Sequence, residues 1–217
     1  MVKRRATAPQ VAGHNSGRVR TRAQRMSPEA RKAQLLANAI VIFADKGIGN
    51  GVHSDLAELT GVSVPTVFHY FPTREALVAA VLGEIQRFLL DDLVATHLDP
   101  RLDAAASVED LLMTFCDAID THQDYIRIWL EWSVSIRGEL WTSYLGFYQR
   151  AIVGVKQIIT RGREDGSVAG DLDVEDAARV IVGVAHMVAQ MKFAHSSRDT
   201  IQHTIHSLVS GYLANRA

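Results

Sequence analysis

Apolar residues recur along most of this chain at intervals of three and four, the period of an amphipathic helix. Ser27-Pro28-Glu29-Ala30 has the form of a helix start: a hydroxyl N-cap, proline in the first turn, then an early acid. The helix it opens is expected to run to about Lys46, to bury Leu36, Ile40 and Phe43, and to stop at Gly47. Residues 53–74, HSDLAELTGVSVPTVFHYFPTR, then read as helix, tight turn, helix. Ser54 is placed to cap the first, Leu56, Ala57 and Leu59 lie toward one side, and Gly61 can supply the positive φ that ends it. The second begins near Val64, with Ser63 as N-cap and Pro65 where a missing N–H costs nothing. Val67 and Phe71 face inward at i, i+4, while Thr66, His69 and Tyr70 stay on another face. Pro72 ends this helix and Thr73 caps the next, expected to extend to about Thr96 on a stripe of Leu77, Val81, Ile85 and Phe88. Beyond a breaker at 97–106, helices are expected near 107–121, 123–136, 138–165, 173–194 and 198–215. Asn-Gly or Asp-Gly hairpins between alternating runs are lacking, so the chain reads as all-α.

Two short helices joined by a glycine turn, the second carrying hydroxyl, imidazole and phenol groups outward, form a helix-turn-helix able to enter a DNA major groove. An ordinary helical hairpin would read the same from this stretch alone, but the charge distribution sharpens the picture. Residues 1–27 hold seven bases and no acid, residues 28–80 four bases and five acids, and residues 81–217 twelve bases and nineteen acids. A basic head on an acidic body suits a protein that approaches phosphate at one end. Residues 1–26, rich in arginine and poor in large apolar groups, are expected to be a disordered arm. Arg18, Arg20 and Arg22 alternate, so an extended arm presents them on one side, as minor-groove binding requires. The domain division expected is a basic arm at 1–26, a helix-turn-helix domain at 27–74 and a helical body at 75–217. A DNA-organising protein without sequence preference would spread its bases over the body, which carries a net −7 instead.

The 217 residues, 47% hydrophobic, suffice for a sizeable core. The most apolar segments are short or interrupted by Asn38, Arg179, His186 and Gln190, so no membrane span is expected, and the basic N-terminus lacks the apolar region of a secretory signal. These features point to a cytoplasmic protein. Cys116, the single cysteine, sits among Leu112, Phe115 and Ile119 and reads as an inert core thiol. The glycines of GIGNG follow no strand and precede no Walker lysine, so they read as a helix stop and turn. No G-x-S-x-G elbow or H-E-x-x-H helix is present, and an enzyme is not expected. His203 and His206, with His195 upstream, have a spacing that metals accept, but no cysteine or carboxylate is placed to complete a shell; no metal or cofactor is expected.

In the body, Tyr125, Trp129, Trp132 and Ile136 share one helical stripe, and Leu140, Tyr144, Tyr148 and Ile152 another. Such stripes are usually core and sometimes the wall of a cavity. Glu131 reads as a structural ion-pair partner. Residues 173–194 are apolar on several sides, and the last helix carries Ile201, Ile205, Leu208 and Tyr212 on one stripe. These last two helices are suited to pack inward and against their copies in a homodimer.

The segments SPEARKAQLLANAIVIFADKGI and SDLAELTGVSVPTVFHYFPTREALV, in this order, resemble the TetR family of bacterial transcription regulators. Arg20-Thr21-Arg22, GIGNGVHSDLAE and, in the body, IWLEWSVSIRGELW are similar to the TetR-fold quorum-sensing master regulators of the LuxR/HapR type. The resemblance implies a homodimer on a pseudo-palindromic double-stranded DNA operator. By position it implies base-edge or backbone contacts from Ser63, Val64, Pro65 and Thr66, and phosphate contacts from His69, Tyr70, Thr73 and Arg74. Ser54 would join these contacts at the start of the first short helix, and Arg20, Arg22 and Arg25 would use the minor groove. It also implies a small apolar effector in the body, for which Trp129, Trp132, Tyr148 and His186 are the lining candidates. A local repressor released by a drug or metabolite is the alternative to a quorum-sensing regulator of many promoters.

Overall fold

The computed structural model describes residues 26–98 and 103–213; Arg20, Arg22 and Arg25 and the disorder expected of the arm lie outside the described residues. Within these segments every regular element is helical. Helix α1 (Pro28–Lys46) starts on Ser27, whose Oγ accepts the Ala30 N–H at 3.1 Å. It buries Leu35, Ala39, Ile40, Ile42 and Phe43, with Leu36 half-buried at the margin.

Helix α2 (His53–Thr60) begins two residues earlier than a Ser54 cap would allow, with Val52 in the N-cap position. The Asp55 carboxylate reaches back to accept the Val52 N–H at 3.1 Å, so an acid satisfies the first orphan donor and Ser54 is left exposed in the first turn. Asp55 also takes the Lys46 ammonium at 2.6 Å, and this hydrogen bond holds its carboxyl below the usual carboxylate range. Leu59 is 53% exposed, because the buried face of this two-turn helix is His53, Leu56 and Ala57. Gly61 closes α2 at φ +66° with its N–H on the Ala57 and Glu58 carbonyls. Helix α3 (Val64–Tyr70) is capped by Ser63, whose Oγ accepts the Thr66 N–H at 3.3 Å. Val67 and Phe71 are buried, as their spacing predicts. The angle between α2 and α3 is fixed from inside: His53 Nε2–H donates to the Phe71 carbonyl at 2.7 Å, and the Phe68 ring lies flat on the imidazole at 4.1 Å.

Helix α4 (Arg74–Arg87) is capped by Thr73 and buries Leu77, Val81 and Ile85. The regular helix expected to reach Thr96 ends here. The chain widens into a π-helical segment, Phe88–Val94, followed by a 3₁₀ turn, Ala95–His97. A regular α-turn could not bury Phe88, Leu89 and Leu93 together with only Asp91 and Asp92 turned to water; the wider turn does. Arg87 holds Asp92, five residues on, at 2.9 Å.

The body comprises α5 (Ala104–Thr121), α6 (Gln123–Val134), α7 (Gly138–Asp165), α8 (Val174–Phe193) and α9 (Arg198–Leu213). Helix α5 starts before the expected 107 because Asp103 caps it, accepting the Ala106 N–H at 2.8 Å. Helix α6 stops short of Ile136, which is 66% exposed and belongs to no buried stripe. Helix α5 lies against α7, α8 and α9, while α6 packs on α1 and joins body to head. In α9 the buried stripe is Ile201, Ile205, Val209 and Leu213; Leu208 and Tyr212 are displaced to its exposed flank. No helix among the described residues is long and apolar enough to cross a membrane.

The left-handed conformation at Gly61 makes that position selective. Gly61→Ala is expected to lower the unfolding free energy by about 1–2 kcal/mol, with Gly61→Asn milder, in denaturant titrations. An alanine variant as stable as the parent would contradict this role for the turn.

Candidate nucleic-acid interface and internal cavity

The outer face of α3 begins at Ser63, Val64 and Pro65, all exposed, and continues through half-buried Thr66 to exposed His69 and half-buried Tyr70. The Ser63 and Thr66 hydroxyls are 2.8 Å apart, and the His69 and Tyr70 rings meet edge to face at 5.1 Å. A short hydroxyl-bearing helix with its polar groups outward, braced from behind by His53 and Phe71, can present donors, acceptors and one apolar side chain to base edges. Thr73 is exposed, but its Oγ1 is engaged in capping α4. Arg74 differs from the others: it is half-buried and its guanidinium donates to the Ile48 carbonyl.

That contact is one half of a clamp. The Ile48 N–H donates to both carboxylate oxygens of Glu131, at 2.9 and 3.1 Å, while the Ile48 side chain is fully buried. Glu131 is therefore a backbone acceptor, not the ion-pair partner expected, because the turn after α1 brings a bare peptide N–H to α6. Gly47, at φ +85°, keeps this approach open: a Cβ there would stand 3.2 Å from Glu131 Oε1. One residue thus receives α6 through its N–H and α4 through its C=O.

An apolar cavity lies in the body; its atom-free space, counted together with the open solvent at its mouth, is about 550 Å³. Its walls are Leu89, Leu90, Leu93 and Val94 of the π-helical segment, Leu111, Leu112 and Phe115 of α5, Trp129 of α6, Phe147, Ala151 and Val155 of α7, and Ile181, Val182 and Ala185 of α8. Of the four lining candidates only Trp129 stands in the wall. His186 packs behind it, ring centroids 4.0 Å apart. Trp132 is fully buried in the core against Tyr144 and Phe147, its Nε1–H donated to the Leu140 carbonyl at 2.8 Å. Tyr148 stacks on Tyr144 away from the wall. The wall residues of the π segment escaped sequence reasoning; their signal was FLLDDLV itself, too apolar for one face of a regular helix.

Burial pushes the Tyr144 phenol up to about 12 and the His186 imidazole below its ordinary value, so both are neutral near pH 7. Cys116 is buried and desolvation raises its thiol, which makes it a packing residue. His206 faces Glu109 at 3.1 Å. Among the described residues no group of three or more side chains is arranged to hold a metal ion.

A helix-turn-helix head joined by a linking helix to an all-helical body is the architecture of a DNA-binding regulator. The profile described as bacterial regulatory proteins, tetR family, matches residues 35–81. The chain is 31% identical over 189 residues to the HTH-type transcriptional regulator LuxR of Vibrio harveyi, covering 87% of this chain and 90% of that protein. It is 28% identical over 158 residues to the HTH-type transcriptional repressor KstR2 of Rhodococcus jostii, covering 70% and 74% respectively. A regulator from Saccharomonospora viridis solved with choline superposes with a TM-score of 0.75 at 18% identity, covering 87% of this chain and all of that one. FadR of Bacillus subtilis, solved with stearoyl-CoA, gives 0.69 at 18% identity, covering 82% and 96%. The chain belongs to the TetR family of bacterial transcription regulators, which are DNA-binding proteins and not enzymes.

The depressed His186 value has a consequence for stability. Above its ordinary value of 6.5 the imidazole is neutral in both the folded and unfolded chain. Below it, the unfolded chain takes up a proton that the fold resists, so stability falls as pH drops toward the lower folded value. Between about pH 6.5 and pH 5 the thermal midpoint of the parent is expected to fall more than that of His186→Gln. Equal slopes would contradict it.

Proposed function

We propose that this protein is a homodimeric, sequence-specific regulator that reads a pseudo-palindromic operator and acts on many promoters, in the manner of the quorum-sensing master regulators. The observation that carries the reading is the α3 face, where Ser63, Val64, Pro65 and Thr66 stand outward at the start of a helix whose back is locked into the head. In this reading residues 27–74 form the reading head and residues 75–217 the body. Ser63 through Thr66 touch base edges, Ser54, His69, Tyr70 and Thr73 serve the flanking backbone, and the arm lays Arg20, Arg22 and Arg25 in the adjacent minor groove. Arg74 acts chiefly by holding the Ile48 turn. Exposed Val180, Leu208 and Tyr212 on α8 and α9 support pairing of two copies through these helices. The absence of a candidate membrane span among the described helices agrees with action in the cytoplasm.

A second reading, a local repressor released by a small apolar metabolite, is favoured by the apolar cavity and by the similarity to KstR2, itself a repressor by name. The two share a mechanism. An effector in the cavity presses on the π segment that continues α4 and on the α6 wall, and both lead to the Ile48 clamp.

Selection from a random duplex library is expected to return a pseudo-palindrome with half-sites about one helical turn, roughly 34–36 Å, apart. The Arg20→Ala/Arg22→Ala variant is expected to weaken binding across sequences and to flatten the dependence of log affinity on log salt by about two. Recovery of no motif, with binding abolished by moderate salt, would overturn the assignment. Genome-wide occupancy separates the readings: many promoters support the first, a single adjacent operon the second.

A further inference from the structure

Two shallow recesses join along the outer side of α1. One lies between α1 and the junction of α5 with α6, the other between α1, α2 and α6, and Val41 and Asp124 line both. No α3 residue lines either recess, so this furrow is separate from the face proposed to meet DNA. Its floor is apolar and uncovered: Val41 is 48% exposed and Leu59 stands beside it at 53%. Its rim is acidic. Of the five acids between residues 28 and 80, three, Asp45, Asp55 and Glu58, are here, and α6 adds Asp124. The bases at the furrow are engaged: Lys46 holds Asp55 at 2.6 Å, and Arg127 lies over the Phe193 ring at 5.8 Å. Asp45, Glu58 and Asp124 have no ion-pair partner among the described residues. The Lys46 ammonium is raised above its ordinary value, first by its hydrogen bond to Asp55 and then by the field of Asp55, Asp45 and Glu58, which sets these carboxylates in one neighbourhood.

Exposed apolar side chains edged by unpaired carboxylates fit an occupant that is cationic at its tips and aliphatic along its stems, which describes arginine. The chain carries such a segment next to the furrow. Residues 1–25 hold seven bases and no acid, and they enter α1, the helix that forms the furrow's length. Between Ser27 and Asp45 α1 rises about 27 Å, and residues 18–25 cover about as much when extended. In an extended chain Arg18, Arg20 and Arg22 share one side.

We propose that without DNA the arm folds back along α1 and lays Arg18, Arg20 and Arg22 in this furrow, so that an operator must take the arm from an acidic site on the same chain. This rests on the reading of the arm as a minor-groove element and adds where the arm resides before DNA arrives. The tether makes the contact intramolecular, so individually weak pairs suffice. The furrow thereby lowers affinity for DNA of any sequence, and only a duplex that also satisfies α3 offsets the transfer.

Spin labels at Ser16→Cys in the arm and Gln123→Cys at the rim, in full-length protein diluted with unlabelled chain, report the contact; Cys116 is buried. A short, narrow distance peak is expected without DNA. It is expected to disappear when the duplex recovered by selection is added, and in Asp45→Asn/Glu58→Gln/Asp124→Asn. That triple variant is expected to bind a non-operator duplex about ten-fold tighter than the parent, as release of an arm engaged about nine times in ten requires. In the Arg18→Ala/Arg20→Ala/Arg22→Ala background the same gain is expected to fall below about two-fold. Equal gains in both backgrounds, the mark of a plain loss of negative field, would overturn the proposal, as would a parent without the short-distance peak. A short distance found only between labels on different chains would assign the furrow to a second copy's arm and overturn the fold-back. The distance on the parent decides the matter even where a variant folds poorly. Operator affinity unchanged by the three arginine substitutions, with the peak present, would overturn the minor-groove reading and leave the fold-back standing.

Discussion

A buried residue must place both its backbone N–H and its C=O, and at Ile48 the two obligations fall on two different parts of the molecule. The donor goes to the Glu131 carboxylate on α6 and the acceptor receives the Arg74 guanidinium at the start of α4. Both are charge-assisted bonds, each stronger than a neutral pair in the same setting. The turn after α1 therefore cannot shift without leaving an ion or a peptide group unsatisfied. Because α3 is tied to α2 through His53 and Phe71, the face carried by Ser63 to Thr66 moves with that turn as one piece.

The same two elements reach the cavity. Two residues before Glu131, α6 places Trp129 in the wall; beyond Arg74, α4 runs into the π-helical segment whose Leu89, Leu90, Leu93 and Val94 form another side. Helix α7 presses on that segment at Gly154, where an added Cβ would meet Val94 Cγ1 at 2.5 Å. A π turn is a strained, rarely used geometry, and here it lies between the cavity and the head. In the proposed function, a molecule filling the cavity would act on the two struts of one joint, which is the physical content of coupling between two sites.

Much of the head was legible in the sequence because caps, breakers and apolar spacing are local codes. Ser27, Ser63 and Thr73 cap their helices, Gly61 turns the chain, and Val67, Phe71, Leu77, Val81 and Ile85 face inward from short windows of periodicity. The misreadings came from interactions that such windows do not contain. Ser54 lost its capping role to Asp55, which had two partners to gain. Leu59 and Ile136 kept the right chemistry for a core but fell where a helix was too short or had ended. Trp129 and Trp132 sit three residues apart on one stripe, and only the packing of α5, α7 and α8 sends one to a cavity and the other to solid core. Glu131 could not be matched to a backbone N–H 83 residues away from spacing alone. The π segment was hidden because a periodicity argument presumes the very turn width that changes there.

The claim that the Ile48 clamp sets the orientation of the head is tested most directly by a distance within one chain. Spin labels at Glu58→Cys on α2 and Gln157→Cys on α7, both exposed positions, report the head against the body; Cys116 is buried and stays unlabelled. Labelled protein is diluted with unlabelled protein so that one chain is read at a time. The account predicts a single narrow distance distribution for the parent, a similar one for Glu131→Gln, which keeps an acceptor, and a broadened or displaced one for Glu131→Ala. A narrow and unshifted distribution in Glu131→Ala would contradict it.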